Sequence, residues 1–205
     1  MSLGLCGVIL AAGQSSRMGR DKALLSWPKL GSSGHPSGTI LSSAIRKLSD
    51  VCDLVIVVAG VNEAVLRPVV EGSGATLVVN PEPQRGQFSS LQTGLREVLN
   101  YGRDNALITL VDRPPPRAET LASLVEAFGS KEHRVWAVIP EFEGKHGHPI
   151  VIGREMIEAF LRVPVTSTAR EIEHANQLHV LYLAIEDPLV TTNMDTPAEY
   201  ASLQS

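Results

Sequence analysis

Residues 5–25 read Leu5-Cys6-Gly7-Val8-Ile9-Leu10-Ala11-Ala12-Gly13-Gln14-Ser15-Ser16-Arg17-Met18-Gly19-Arg20-Asp21-Lys22-Ala23-Leu24-Leu25. The opening run, 5–12, is continuously apolar, which predicts a strand buried on both faces of a sheet. A polar loop, 13–21, follows it directly. Gly13 and the small residues around it let backbone N–H groups approach a phosphate closely. Arg17 and Lys22 add fixed positive charge, one a planar fork and one a point charge. A strand that runs straight into such a loop reads as a polyphosphate site at the carboxyl end of a parallel sheet. It is not a Walker A loop, because five residues separate Gly13 from Gly19 and Lys22 comes three later. Nor is it G-x-G-x-x-G, which counts against a nicotinamide enzyme.

Working outward, short apolar runs alternate with amphipathic ones. Residues 54–59, 75–79, 106–111, 135–139, 149–152 and 180–185 read as strands. Helices are expected from Thr39 as N-cap, over 62–71 with Pro68 kinking or shortening it, and over 90–99 and 119–128. Further helices are expected over 154–161 and 168–175, the latter with a Thr168–Glu171 capping box. Thr196-Pro197-Ala198-Glu199 combines a capping box with proline at the first helical position. Residues 28–37 are rich in Gly, Pro and Ser and read as a flexible excursion. This order predicts one α/β domain over 1–205, a Rossmann-like, doubly wound, mostly parallel sheet. Its loops at 13–22, 80–89, 112–117 and 193–195 are where ligands should bind.

Composition narrows the function. The chain has 205 residues, 43% hydrophobic and 20% charged, with a formal charge of −4. That excludes a disordered chain, and it leaves no basic excess for unspecific nucleic-acid binding. The two cysteines, Cys6 and Cys52, sit beside apolar runs without metal-ligand spacing and read as buried thiols. No apolar stretch approaches the ~20 residues a membrane helix needs. The N-terminus lacks a basic region before its apolar run. A cytoplasmic protein without membrane contact is expected.

The segment LAAGQSSRMGRDKALL resembles the opening of the MobA-like nucleotidyltransferases that act on the molybdenum cofactor, whose usual form is LAAGxSxRMGxxKxLL. Later segments agree in order: Asn80-Pro81, Gly86, Ser89-Ser90-Leu91 and Gly94-Leu95; then Val111-Asp112-Arg113-Pro114; then Gly147-His148-Pro149; then Met194-Asp195-Thr196-Pro197. The resemblance implies the nucleotide-diphospho-sugar transferase fold. It also implies a reaction in which an acceptor phosphate attacks the α-phosphorus of a nucleoside triphosphate and displaces pyrophosphate. The nucleophile is already an anion, so positioning and charge neutralisation suffice.

Carried over by position, the resemblance implies that Arg17, Lys22 and Asp112 form the catalytic set. Ala11, Ala12, Gly13, Asn80, Gly86, Ser89 and Ser90 join Arg17 and Lys22 around the nucleotide. Asp112 and Asp195 ligate Mg2+ through hard carboxylate oxygens, and Arg113 and His148 meet the acceptor. The bland alternatives are a turn role for Asp112 and Asp195, a turn former and a helix cap at Asn80 and Ser89, and a plain loop histidine at 148.

Three departures stand out. Val111 replaces the family's usual glycine, Arg113 stands where methionine or glutamine is common, and the 28–37 link is long. Ala12, where the guanylyl branch usually has glycine, narrows the base pocket towards a pyrimidine, and Gly147-His148-Pro149, which matches a G-H-P of the cytidylyl branch, points the same way. The implied substrates are CTP and a molybdopterin-type acceptor, with a transient contact to a molybdoenzyme. The alternatives are another phosphorylated acceptor, or an accessory protein that binds the molybdenum cofactor without turnover.

Overall fold

The computed structural model describes residues 4–13, 20–27 and 38–203. Its centre is a sheet that joins β1 (Leu5–Leu10), β2 (Leu54–Ala59), β3 (Thr76–Val79), β4 (Asn105–Leu110), β5 (Ala137–Phe142), β6 (Lys145–His146), β7 (Ile150–Gly153) and β8 (Val180–Ala184). The order is β3-β2-β1-β4-β7-β5-β6, with β8 also paired to β5. The helices are α1 (Ile40–Ser49), α2 (Glu63–Gly72), α3 (Gln87–Asn100), α4 (Ala118–Gly129), α5 (Arg154–Arg162), α6 (Ala169–Ala175) and α7 (Pro197–Ser202). None of the described helices is long and apolar enough to cross a membrane.

The apolar runs form strands because both faces of the sheet are covered. In β1, Leu5 and Ile9 enter one core with α1, α2 and α4. Cys6, Val8 and Leu10 enter the other with α3 and α5. Neighbouring side chains of a strand point to opposite faces, so a strand covered twice must be apolar at every position. Each fully buried Leu or Ile contributes about 1.5–3 kcal/mol by leaving water. Both thiols lie in these cores, and burial pushes each up to about 12.

Helix chemistry is mostly as expected. Thr39 caps α1, and Ser42 closes the capping box; Ile40, Leu41, Ala44, Ile45 and Leu48 are all buried. Thr168 and Thr196 cap α6 and α7 through boxes with Glu171 and Glu199. Pro68 sits inside α2 without ending it, and the helix runs close to its expected length. The amide it lacks would have reached the Ala64 carbonyl, and both residues are on the exposed face. Water can satisfy that carbonyl, so the loss is tolerated.

The sheet is mixed. β1, β2, β3 and β4 are parallel, with Leu10 level with Val58 and Leu110. β7 lies antiparallel between β4 and β5. It arrives there after the tight β5–β6 hairpin, whose Glu143 and Gly144 both have positive φ, 49° and 73°. A two-residue turn of that hand fits the strand twist. The expected strand at 135–139 begins two residues later, because the Val135 amide closes a turn on the Glu132 carbonyl. Expected residues 28–37 and Arg17 lie outside the described residues.

Gly94 lets α3 lie close against the sheet. A Cβ there would stand 2.9 Å from Val8 Cγ1 and 2.9 Å from Val58 Cγ2. Those valines are stiff and buried, so they yield little. Gly94→Ala should therefore destabilise the fold by about 1–3 kcal/mol despite the helix propensity gained. Urea unfolding reads this directly, and an unchanged or raised midpoint would contradict the close packing.

Candidate functional site

The chain changes direction across the sheet at β1, whose neighbours are β2 on one side and β4 on the other. A crevice opens outside the carboxyl ends of strands at such a point. It holds a cavity of about 500 Å³ whose wall includes Ala12, Gly13, Lys22, Gly86, Ser90, Asp112 and Asp195. Seven of the residues singled out from the sequence thus share one cavity. Pro83, Gln84 and Gln87 also line it. Sequence reasoning missed these three, although they flank Gly86 in the segment it did notice.

Other candidates brace the wall from behind. The Asn80 Nδ2 amide donates to Ser89 Oγ at 2.8 Å and Ser90 Oγ at 3.0 Å, and its Oδ1 accepts from the Glu82 amide at 3.0 Å. The Ser89 hydroxyl donates to the Gly86 carbonyl at 2.7 Å. Asn80 and Ser89 are buried and hold the 82–86 turn against the first turn of α3. Ala11 is buried, and its carbonyl accepts from Asn62 at 2.9 Å.

Asp112 and Asp195 meet because the Met194 amide donates to the Asp112 carbonyl at 2.8 Å. The Asp195 and Thr196 amides both donate to Glu199 Oε2 at 2.8 Å, which fixes the segment at the start of α7. Lys22 is 8% exposed, and its Nζ stands 2.7 Å from Asp195 Oδ1. Burial pushes the Asp112 carboxyl above its ordinary value; the Lys22 and Arg113 charges work against that, and Asp195 adds to it. Asp112 Oδ1 is buried and has no hydrogen-bond partner among the described residues. An orphaned buried carboxylate oxygen suits a hard divalent cation. Among the described residues, no cluster of three or more His, Cys, Asp or Glu could hold a metal. A cation here would therefore need ligands from nucleotide and water besides the two aspartates.

Arg113 and His148 converge on a different point. The Val190 carbonyl accepts from the His148 amide at 2.8 Å and from Arg113 Nη1 at 3.2 Å. Gly147 permits this crossing, since a Cβ there would fall 2.2 Å from the Val190 carbonyl oxygen. His148 borders a cavity of about 360 Å³ that shares Leu10, Gly86, Gln87 and Leu110 with the first cavity. Both residues also border a smaller one of about 150 Å³. Val111 extends the ladder by one bond, from its amide to the Leu10 carbonyl at 3.1 Å.

A family model described as MobA-like NTP transferase domain matches residues 7–180. The molybdenum cofactor cytidylyltransferase of Escherichia coli (strain K12) is 26% identical over 201 residues, covering 94% of this chain and 92% of that protein. A protein of Rhodopirellula baltica described as "Probable molybdenum cofactor guanylyltransferase" is 35% identical over 125 residues, 60% of this chain and 56% of its own length. Among solved structures, Rv0371c from Mycobacterium tuberculosis H37Rv superposes with a TM-score of 0.80 at 23% identity, covering 100% of this chain and 98% of that one. Its complex with manganese gives 0.73 at 20% identity, covering 98% and 97%. The nucleotide-diphospho-sugar transferase fold expected from the sequence is the fold observed.

The His148 ring carries a testable electrostatic signature. Burial pushes its pKa down from 6.5 to about 4; the Arg113 charge lowers it too, and a hydrogen bond with the Ile108 backbone opposes them. The ring is therefore neutral at neutral pH. Below pH 6.5 the unfolded chain takes up a proton there that the folded chain refuses until about 4. Stability should fall across that window as pH falls, and His148→Gln should flatten the fall. Urea unfolding at pH 7 and 4.5 for both proteins checks it, and equal losses would contradict a buried neutral ring.

Proposed function

Because this chain belongs to the MobA-like NTP transferase domain family, we propose that it moves CMP from CTP onto the phosphate of a molybdopterin-type acceptor. An acceptor phosphate oxygen bonds to the α-phosphorus, the bond from that phosphorus to the bridging oxygen breaks, and pyrophosphate carries the electron pair away. The observation that carries this reading is that Lys22, Asp112 and Asp195 line one cavity with Ala12, Gly13, Gly86 and Ser90.

Lys22 neutralises the triphosphate in this reading, with Arg17 assigned beside it. The Gly13 and Gly86 backbones approach the nucleotide, and Ser90 presents a hydroxyl to it. Asn80 and Ser89 keep the 82–86 turn in place beneath it. Asp112 and Asp195 would hold a divalent cation, Mg2+ or Mn2+, which would offset phosphate charge. The pairing of Lys22 with Asp195 places the side chain that would meet the triphosphate beside one that would hold the cation. Without such compensation, the carboxylates and phosphates would repel one another. The neutral His148 faces the acceptor from the cavity of about 360 Å³ next to the nucleotide, and Arg113 from the smaller one of about 150 Å³ that His148 also borders.

One feature favours CTP: Ala12, where the guanylyl branch usually has glycine, lines the cavity. One methyl discriminates by only about 1–3 kcal/mol, so Ala12→Gly should narrow a CTP preference rather than reverse it.

The test is incubation with molybdopterin, magnesium and each of the four triphosphates, with mass analysis of the product. A cytidylylated product is expected; a guanylylated one would overturn the nucleotide choice, and no product from any triphosphate would overturn the reaction. Lys22→Ala should cut turnover about 10²-fold or more with the fold intact. Asp112→Asn and Asp195→Asn should each nearly abolish it. The double mutant should be little worse than either, because the pair acts as a unit.

A further inference from the structure

Asn62 occupies the N-cap of α2, a position where asparagine ordinarily accepts from the first amides of its own helix. Here its side chain makes no such bond. It is turned back towards the nucleotide cavity instead. Its Oδ1 accepts from the Gly60 amide at 3.0 Å, and its Nδ2 donates to the Ala11 carbonyl at 2.9 Å and to Asp21 Oδ2 at 2.6 Å. Both donors of the amide are used. The other Asp21 oxygen accepts from the Ala23 amide at 3.0 Å, which caps the short helical turn Lys22–Leu24. One side chain therefore ties Ala11, just before Ala12 and Gly13 on the cavity wall, to Asp21, just before Lys22.

We propose that Asn62 is a positioning residue for nucleotidyl transfer, setting Lys22 against the cavity wall through Asp21. The inference rests on the reading of Lys22 as a triphosphate contact. The chemistry of the link is specific. Asn62 is the donor and Asp21 the acceptor, and the second Asp21 oxygen orients the turn that carries Lys22. On the far side, the same turn is held by the Lys22–Asp195 pair and by the Tyr200 hydroxyl, which donates to the Ser26 carbonyl. The segment around Lys22 is held from separate parts of the chain, and Asn62 supplies one of these anchors. A misplacement of about 1 Å in such a group costs on the order of 10²-fold in rate.

The test compares Asn62→Asp, Asn62→Ala, Lys22→Ala and the swap Asp21→Asn/Asn62→Asp. Asn62→Asp sets carboxylate against carboxylate and removes both donors. The swap restores a donor at 21 and an acceptor at 62, keeps the cap on the Ala23 amide, and leaves only the Ala11 carbonyl unserved. Steady-state kinetics are read with CTP and acceptor varied separately, well below the lowest melting temperature. Asn62→Asp should lose about 10²-fold in kcat/KM for CTP, Asn62→Ala somewhat less, and KM for the acceptor should hold. The swap should recover at least tenfold over Asn62→Asp. A role in folding alone would lower the melting temperature and spare the kinetics of the folded fraction. If Lys22→Ala is inactive but Asn62→Asp retains wild-type kinetics, the positioning claim is wrong and the reading of Lys22 survives. If Lys22→Ala keeps wild-type turnover, the reading of Lys22 falls and the inference with it. A folded swap no better than Asn62→Asp overturns the link through Asp21. If Asn62→Asp does not fold, the swap must outperform Asn62→Ala, and failure to do so overturns the link equally.

Discussion

The ion pair of Lys22 with Asp195, at 2.7 Å, joins side chains 173 positions apart in the chain. It binds the loop after the first strand to the segment before the last helix. Taking both charges partly out of water costs much of what their attraction returns. Its importance is therefore less in net stability than in geometry. The pair puts a buried positive charge near Asp112, whose buried Oδ1 has no hydrogen-bond partner among the described residues. The three charged side chains line one cavity.

The sheet makes this meeting possible. β1 and β4 are parallel neighbours in register, with Leu10 opposite Leu110. Ala12 and Asp112 consequently leave the sheet side by side at the carboxyl edge. The two cores hold β1 from opposite faces, so the loop that follows starts from a rigid base. The antiparallel entry of β7 beside β4 brings Gly147 and His148 to the same rim. The Val190 carbonyl then gathers the His148 amide and the Arg113 guanidinium at one point. His148 thus lines a cavity that adjoins the one lined by Lys22, Asp112 and Asp195.

The division of labour around the larger cavity is also physical. Residues with hydroxyl or amide side chains, Asn80 and Ser89, are buried and spend their hydrogen bonds on backbone and on each other. Glycines and charged residues share the wall with Ala12, Pro83, Gln84, Gln87 and Ser90. Motif matching groups both sets together, because each recurs at a set spacing. Only the hydrogen-bond directions separate the wall from its supports.

Much of this was legible in the residues. Continuous apolar runs announced strands covered on both faces, and threonines with Glu three positions on announced the caps of α6 and α7. Gly13, Asp112 and Asp195 were readable as one rim because each closely follows an apolar run or precedes a capping box, and Lys22 because it ends the loop that the first run opens. The β5–β6 turn was not readable, since Glu143 adopts a positive φ that its residue type does not favour. How far α2 continues past Pro68 was not legible from the residue alone, because solvent exposure decides whether a missing amide matters. Nor could Asn62 be singled out: its cap position suggested its own helix, and its partners lie 41 and 51 positions away. The sequence by itself determined the elements, the two-faced burial and the chemical types at the rim, since periodicity and side-chain chemistry are local properties. Which carboxylate Lys22 pairs with, which polar residues brace rather than line the cavity, and where Asn62 spends its donors were decided by the tertiary structure alone, because hydrogen bonds between distant segments exist only once the sheet has brought them together.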